Sequence, residues 1–348
     1  MAFLNFENHP LWLNLAILVA AAIAVWLAGT RIARYADIIA TRSGAGHVMV
    51  GLVLLGTVTS LPEIAIIIFS ASGDASLLAI NNVLGGISLQ KAMLAAVDGM
   101  IGKDALTVVA ASPAMLLQGV LGILLLALVA AAIVVGDVPF LGVGAWCWAI
   151  LAMYVFSIWQ IAQLERRQTW VAEDVGQQSP PKSEQETGQE NGSLMPLVLK
   201  TIGAGAVILV AGFLLSRTGE AIAEQTGLGL SFVGAVLLAV VTSLPDLSTI
   251  VSSVRLHRYE MAMADILGGT LFNTLLIFLV DVVHQGKPVL NEANDFSLFA
   301  SLIGIVLSVI LLVGLIERKN RTIVHMGIDS LVILATYFGG LFLLYQLR

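Results

Sequence analysis

One short motif occurs twice in this chain, and the repetition constrains the fold more than any other feature. Val58-Thr59-Ser60-Leu61-Pro62-Glu63 returns 183 positions later as Val241-Thr242-Ser243-Leu244-Pro245-Asp246. The register then continues without a gap, since Leu84-Gly85-Gly86 aligns with Leu267-Gly268-Gly269. The chain therefore contains two related halves, each with a proline and a carboxylate inside an apolar run.

The composition places both halves in a membrane. Hydrophobic residues make up 58% of the chain and charged residues only 11%, whereas soluble domains carry about 25% charged residues. Apolar runs of about 20 residues, long enough to cross the hydrocarbon core, follow one another along the chain. We expect an all-α polytopic membrane protein with the lipid bilayer as its solvent. The sequence indicates no nucleic-acid ligand and no obligatory protein partner.

The apolar runs predict ten membrane spans and one polar segment. The spans are 11–30, 45–72, 76–97, 112–135, 140–163, 196–216, 228–254, 260–283, 294–316 and 325–347. Residues 165–195 are rich in Gln, Glu, Ser and Pro, which is typical of a flexible linker. The predicted organisation is a five-helix half (1–164), the linker (165–195) and a second five-helix half (196–348).

The basic residues orient these spans. Loops on one side hold most of them: Arg31, Arg34, Arg42, Lys103, Arg166, Arg167, Lys182, Arg255, Arg258, Arg318, Lys319 and Arg321. Because basic loops stay cytoplasmic, the linker is predicted inside and both termini outside, in a prokaryotic inner membrane. Five spans is an odd number, so the second half enters the membrane inverted. Inverted repeats with a binding site at the midplane are typical of secondary transporters.

The repeated motif brings oxygen atoms together. Pro62 and Pro245 lack an N–H, so each frees a carbonyl one turn earlier, and within a membrane that carbonyl needs another partner. Glu63 and Asp246 add negative charge directly after the prolines. Four hydroxyls lie in the same turns: Thr59, Ser60, Thr242 and Ser243. An all-oxygen set of this kind suits a hard cation such as Ca²⁺.

The helix after each motif adds further candidate ligands. Gln90 and Asn273 occupy equivalent positions one turn beyond the paired glycines, where an amide can face the carboxylates. Asp265 is a third carboxylate inside the membrane, and we expect it to bind cations or to take up protons. The glycines themselves favour close helix packing. Asp98 and Asp281 recur at equivalent helix ends, where a solvated or capping role is predicted.

The two copies resemble the α-repeats of the sodium/calcium exchanger branch of the cation/Ca²⁺ antiporters, which read G-T-S-L-P-E and then G-N-x-x-G-S-N-x-x-N. The resemblance implies ten helices, alternating access and first and sixth spans that slide across the rest. It implies that Glu63 and Asp246 are the central Ca²⁺ ligands, joined by the carbonyls of Thr59 and Thr242. Ser60 and Ser243 would belong to flanking Na⁺ sites.

Departures from this pattern leave the counter-ion open. Gly86 and Gly269 replace the serines of G-S-N, so two hydroxyl ligands for Na⁺ are missing, and Ile87 and Thr270 replace the asparagines that follow. A proton needs only one carboxylate buried beside another. The prediction is therefore a Ca²⁺/Na⁺ antiporter without a cofactor, with H⁺-coupled exchange of Ca²⁺ or another divalent cation as the alternative.

Two other classes of protein fit less well. A cation channel usually arranges its acidic residues as rings in an oligomeric pore, whereas here they are paired in inverted repeats. An intramembrane enzyme needs a nucleophile with a base, or metal-binding histidines, and no such set occurs at the predicted midplane depth. The chain is therefore predicted not to be an enzyme.

Overall fold

The structure is a computed structural model that describes residues 6–43, 59–73, 75–101, 106–109, 112–166, 195–284, 286–317, 322–323 and 326–348. Its helices are α1 Leu11–Ser43, α2 Leu61–Ala71, α3 Ser76–Asp98, α4 Leu106–Val109, α5 Pro113–Val135, α6 Ala145–Arg166, α7 Met195–Thr226, α8 Gly229–Thr242, α9 Leu244–Arg255, α10 Tyr259–Val283, α11 Asp295–Glu317 and α12 Ile328–Gln346. Four two-residue strands complete it: β1 Pro139–Phe140, β2 Val143–Gly144, β3 Thr322–Ile323 and β4 Met326–Gly327.

These helices confirm the predicted all-α membrane fold. Within the described ranges, eight helices are long and apolar enough to cross a membrane, and α8 with α9, bent by 45°, makes nine if the pair is counted as one span. The short helix α2 corresponds to the end of the predicted span 45–72, whose beginning lies outside the described residues. Most of the predicted linker, 167–194, also lies outside them.

Two span starts were predicted wrongly. The spans placed at 140–163 and 325–347 begin as helices only at Ala145 and Ile328, because each is preceded by a small antiparallel hairpin. In the first hairpin Leu141 and Gly142 both have positive φ, 53° and 82°, as in a type I′ turn. In a strand of two residues, the alternation of apolar and polar side chains is too short to be distinguished from the start of an apolar helix.

Helix α3 lies at the centre of the molecule. The apolar window of α3 is 89% buried, against 28% for the windows of α1 and α7. It packs against α8, α10, α11 and α12, while α1 and α7 pack mainly against each other. A polar side chain on α3 is therefore surrounded by protein rather than lipid, which makes this helix a suitable place for ion ligands.

One glycine of the first pair allows α3 to touch α8. A Cβ atom on Gly85 would overlap the backbone of Ala235, whereas a Cβ on Gly86 would lie 3.8 Å from the Ser243 hydroxyl, an ordinary contact. The packing role predicted for the glycines therefore holds for Gly85 and not for its neighbour. Gly86 leaves space beside the repeated motif.

Asp98 and Asp281 join the two halves by equivalent hydrogen bonds. Asp98 accepts from the backbone N–H of Leu106 at 2.6 Å and of Gly327 at 2.7 Å. Asp281 accepts from the N–H of Val289 at 2.5 Å and of Gly144 at 2.6 Å. In each case the second donor belongs to the hairpin of the opposite half. The solvated role is wrong, because the two residues are only 1% and 3% exposed; both instead accept from backbone N–H groups, and these contacts relate the halves by an approximate two-fold axis.

Candidate cation-binding site

Both copies of the motif have the same backbone geometry at the residue that precedes a new helix. Ser60 and Ser243 have nearly identical backbone angles, φ −87° and ψ 8° in the first copy and φ −83° and ψ 2° in the second. A new helix starts directly after each serine, with Pro62 or Pro245 in its first turn. Proline is tolerated there because the first N–H groups of a helix have no internal partner. In the second copy this junction separates α8 from α9, and the two helices are bent by 45°.

The break places the two carboxylates at helix N-termini. Glu63 lies in the first turn of α2 and Asp246 in the first turn of α9, where the helix dipole favours negative charge. Both are buried, with relative exposures of 1% and 5%, and they lie close enough to repel each other. The two half-helices therefore bring two acids together in the protein interior.

The acids differ in their hydrogen bonds. Asp246 accepts a hydrogen bond of 2.6 Å from the side-chain amide of Gln90 and another from Thr59. Among the described residues neither carboxylate oxygen of Glu63 has a hydrogen-bond partner. The Thr242 hydroxyl lies close enough to stabilise the Glu63 carboxylate, and it also lies 3.3 Å from the carbonyl oxygen of Ala239 and 3.5 Å from the amide oxygen of Asn82. Glu63 is thus held by fewer hydrogen bonds than Asp246.

The predicted amides and hydroxyls make contacts across the two halves. Ser60 donates to the amide oxygen of Asn273 at 3.1 Å, so Asn273 faces the first motif while Gln90 faces the second. The Ser243 hydroxyl is buried and has no hydrogen-bond partner in the described part of the chain. The side chains of all four residues therefore line one buried region between α2, α3, α9 and α10.

Asp265 lies at the edge of this region. It is half-buried on α10, accepts a hydrogen bond of 2.7 Å from Thr249 and lies close enough to repel Asp246. Within the described ranges no three His, Cys, Asp or Glu side chains converge as a metal centre. A cation bound here would need neutral oxygens to complete its shell.

The polar atoms left unpaired at the site are mostly oxygens. Within the described residues, buried acceptors or hydroxyls without a partner include both oxygens of Glu63, the amide oxygen of Gln90 and the hydroxyl of Ser243. Leaving such atoms unpaired in a buried site costs about 1–3 kcal/mol each. A bound cation satisfies several acceptors at once, and oxygen is the donor that Ca²⁺ and Na⁺ prefer.

Lys91 is not among the predicted site residues, although an ionisable side chain at the centre of an apolar span is itself a sign of function. It is fully buried on α3, directly after Gln90. Its ammonium donates to the carbonyl of Ile87 and to the hydroxyl of Thr270, both at 3.0 Å. The site region therefore contains a buried lysine amino group that is hydrogen-bonded to both halves of the chain.

Comparisons with known proteins identify the family and the fold. The family model described as sodium/calcium exchanger protein matches residues 13–170 and again residues 197–346. The inner membrane protein YrbG of Escherichia coli (strain K12) is 23% identical over 287 residues, which cover 81% of this chain and 84% of that protein.

Two solved structures share the fold. The H⁺/Ca²⁺ exchanger CAX superposes with a TM-score of 0.68 at 14% identity, covering 98% of this chain and 86% of its own. The sodium-calcium exchanger NCX_Mj, soaked with Na⁺ and Sr²⁺, gives a TM-score of 0.59 at 16% identity, covering 94% of this chain and 98% of its own. At such identities these likenesses show the fold and leave the transported ions undetermined.

Proposed function

Because the chain belongs to the sodium/calcium exchanger protein family, we propose that it is a secondary-active antiporter that exchanges Ca²⁺ for Na⁺ at a single site between its two halves. Membership of this family makes the chain a membrane transporter of the cation/Ca²⁺ exchanger superfamily rather than an enzyme. The finer assignment of ions, ligands and orientation is our proposal.

The observation that carries the proposal is the set of unpaired buried oxygens around Glu63 and Asp246. One Ca²⁺ neutralises two carboxylates and coordinates the unpaired oxygens of Glu63, Gln90 and Ser243. Thr59, Thr242, Ser60, Asn273 and Asp265 complete the proposed ligand set. Ca²⁺ and Na⁺ exclude each other from this site. An empty site cannot readily be enclosed in the membrane, because its two buried carboxylates would be left without a cation. The two ions are therefore exchanged.

The choice of counter-ion depends on which hydroxyl oxygens of the family pattern this chain retains. Ser60 and Ser243 retain hydroxyls suitable for Na⁺, which supports Na⁺ as the counter-ion. Gly86 and Gly269 lack the hydroxyls of the family pattern, which favours H⁺ as the second candidate. A divalent cation other than Ca²⁺ fits the same oxygens in either case.

Flux measurements in proteoliposomes test the site. Glu63→Gln is expected to abolish gradient-driven ⁴⁵Ca²⁺ uptake, since it removes one of the two central charges. Asp246→Glu is the matched control, because it gives the second copy the acid of the first and keeps the charge. Uptake by Glu63→Gln at the wild-type rate would overturn the site assignment.

A second pair of conditions tests the counter-ion. An imposed Na⁺ gradient should drive Ca²⁺ uptake when an ionophore has collapsed the pH gradient. Flux under a pH gradient and none under a Na⁺ gradient would select H⁺ instead. Gly86→Ser places a hydroxyl in the space beside Ser243, and it is expected to strengthen the Na⁺ dependence of transport.

We further propose that the protein lies in a prokaryotic inner membrane with both termini outside and residues 165–195 in the cytoplasm. The basic loops support this orientation, and the relative YrbG is named an inner membrane protein. A reporter enzyme active only outside the cytoplasm, fused after Arg348, should be active. Activity of a cytoplasmic reporter at that position would contradict the topology.

A further inference from the structure

Helices α2 and α7 are joined by polar side chains near the C-terminal end of α2. The hydroxyls of Ser70 and Ser216 lie 2.7 Å apart, and both side chains are fully buried. Ser216 donates its proton to Glu220 at 3.1 Å. Because a hydroxyl has a single proton, Ser70 is the donor in the bond between the two serines. Glu220 is in turn paired with Arg217 at 2.9 Å, so a chain of hydrogen bonds leads from α2 to a partly exposed ion pair on α7.

Two further contacts reinforce this junction. The rings of Phe69 and Phe213 meet edge to face with their centroids 5.3 Å apart, a favourable geometry for aromatic pairs. A Cβ atom on Gly73 would lie 3.8 Å from the Arg217 guanidinium, so this cation lies beside the C-terminal end of α2, where the helix dipole favours positive charge. We call the following residues the α2–α7 latch: Phe69, Ser70, Phe213 and Ser216.

The other copy of the repeat lacks the residues of the latch. The ion pair of α7 recurs in α1 as Arg34 and Asp37, so the 183-residue register extends to these helices. Of the four latch residues only Ser70 recurs, as Ser253 on α9. The residues at the other three positions are Ser252, Thr30 and Ala33. These residues can form neither the aromatic pair nor the pair of hydroxyls.

Helix α7 lies farther along its broken helix than α1 does. Gly212 on α7 lies against Ala65 of α2. Gly29, at the equivalent position on α1, lies against Pro245, which is the equivalent of Pro62. The two contacts differ by three residues, or about 4.5 Å along a helix. The structure thus shows one of two arrangements that the two-fold axis would exchange.

The latch can form only in the arrangement seen here. In the inverted arrangement α7 would take the position that α1 has now, and Gly212 would face Pro62. Ser216 would then lie about one turn away from Ser70, so both the hydrogen bond and the contact between the rings would be lost.

We propose that the α2–α7 latch favours the conformation seen here over its inverted counterpart, so that the two faces of the exchanger are not equivalent. Two identical halves would give two facing conformations of equal energy, because the two-fold axis exchanges them. The latch adds contacts to only one of these conformations, and one hydrogen bond shifts such an equilibrium by about fivefold. This inference rests on the proposed function, since an antiporter alternates between two facing conformations.

Double electron–electron resonance measures this equilibrium directly. Spin labels replace Val138, before the first hairpin, and Glu224, near the end of α7, which are both exposed. Ser216→Ala should raise the population of the second distance about fivefold relative to the first. Ser70→Ala should have the same effect, and the double variant should shift the population no further, because all three lack the same bond.

Val210→Ala, at an exposed position of α7, is the matched control and should give the wild-type distances. Shifts that add in the double variant would overturn the latch. Populations that equal those of the control in all three serine variants would also overturn it.

Disulfide trapping relates the latch to transport. In the double variant Ser70→Cys with Ser216→Cys, oxidation should join α2 to α7, because the hydroxyl oxygens that the sulfurs replace are only 2.7 Å apart. The cross-linked protein should lose gradient-driven ⁴⁵Ca²⁺ exchange and regain it on reduction, whereas the oxidant should not affect either single variant. Failure to cross-link, or exchange at the wild-type rate by cross-linked protein, would overturn the latch. A wild type without Ca²⁺ flux, with the resonance shifts as expected, would overturn the proposed ions and leave the latch supported.

Discussion

The carboxylate of Asp281 should control the stability of a hairpin in the opposite half of the chain. Its two oxygens accept from Val289 at 2.5 Å and from Gly144 at 2.6 Å, and the residue is only 3% exposed. A hydrogen bond to a charged group contributes about 1.5–3 kcal/mol. In Asp281→Asn one oxygen becomes an NH₂ group, which cannot accept, so one of these bonds is lost and a buried N–H loses its partner.

Hydrogen–deuterium exchange can locate this loss. If about 2 kcal/mol is lost from the contact with Gly144, exchange in residues 139–144 should accelerate about 30-fold. Asp98→Asn is the matched variant, because its equivalent bond reaches Gly327 at 2.7 Å. It should accelerate exchange around residues 326–327 and leave residues 139–144 unchanged. Unchanged exchange both in residues 139–144 and around Val289 in Asp281→Asn would refute these bonds, and acceleration of residues 139–144 in Asp98→Asn would refute their assignment to opposite halves.

Three further predictions concern single side chains. Gly85→Ala should prevent assembly of folded protein, as judged by size-exclusion chromatography, because its Cβ would overlap the Ala235 backbone, whereas Gly86→Ala should give wild-type yields. Gln90→Asn should lower the unfolding temperature measured without cations, because the shorter amide cannot keep its 2.6 Å bond to Asp246, and added Ca²⁺ should widen the difference because the variant also loses a proposed ligand. Burial raises the pKa of Asp137 above its usual value, so the folded chain holds this proton more tightly, and the resulting stability is present below the unfolded pKa and is lost as pH rises through the folded pKa. The melting temperature of the wild type minus that of Asp137→Asn should therefore be larger at about pH 4 than at about pH 7.

Much of this fold could be predicted from the repeat and the hydropathy pattern. The doubled motif led to the inverted halves, and the spans followed from runs of apolar residues. The hairpins before Ala145 and Ile328 were missed because their strands contain two residues each. Their pairing depends on Asp98 and Asp281, whose partners are distant in sequence, and hydrophobic periodicity carries no information about such contacts.

The sequence predicted which residues belong to the site better than it predicted which of them contact each other. The motif identified the paired acids, since a carboxylate after an intramembrane proline is conspicuous in any sequence. The contact of Asn273 with Ser60, rather than with a carboxylate, depends on how α2 and α10 meet. Lys91 was visible in the third span as an isolated charge, but its acceptors Ile87 and Thr270 become meaningful only when the two halves are placed together.

The contacts between the two halves restrict how the site can open. The exchanged hydrogen bonds of Asp98 and Asp281 tie the halves together, so separating them would expose buried N–H groups and carboxylates at high cost. Helix α7 is joined to α2 by one buried bond of 2.7 Å, between the Ser70 and Ser216 hydroxyls. Gly29 on α1 lies against Pro245, and Gly212, at the equivalent position on α7, lies against Ala65. Glycine removes the side chain that would interlock the surfaces at these two points. We therefore expect α1 and α7 to slide together across the broken helices, which would expose Glu63 and Asp246 to each side of the membrane in turn while the rest of the molecule keeps its contacts.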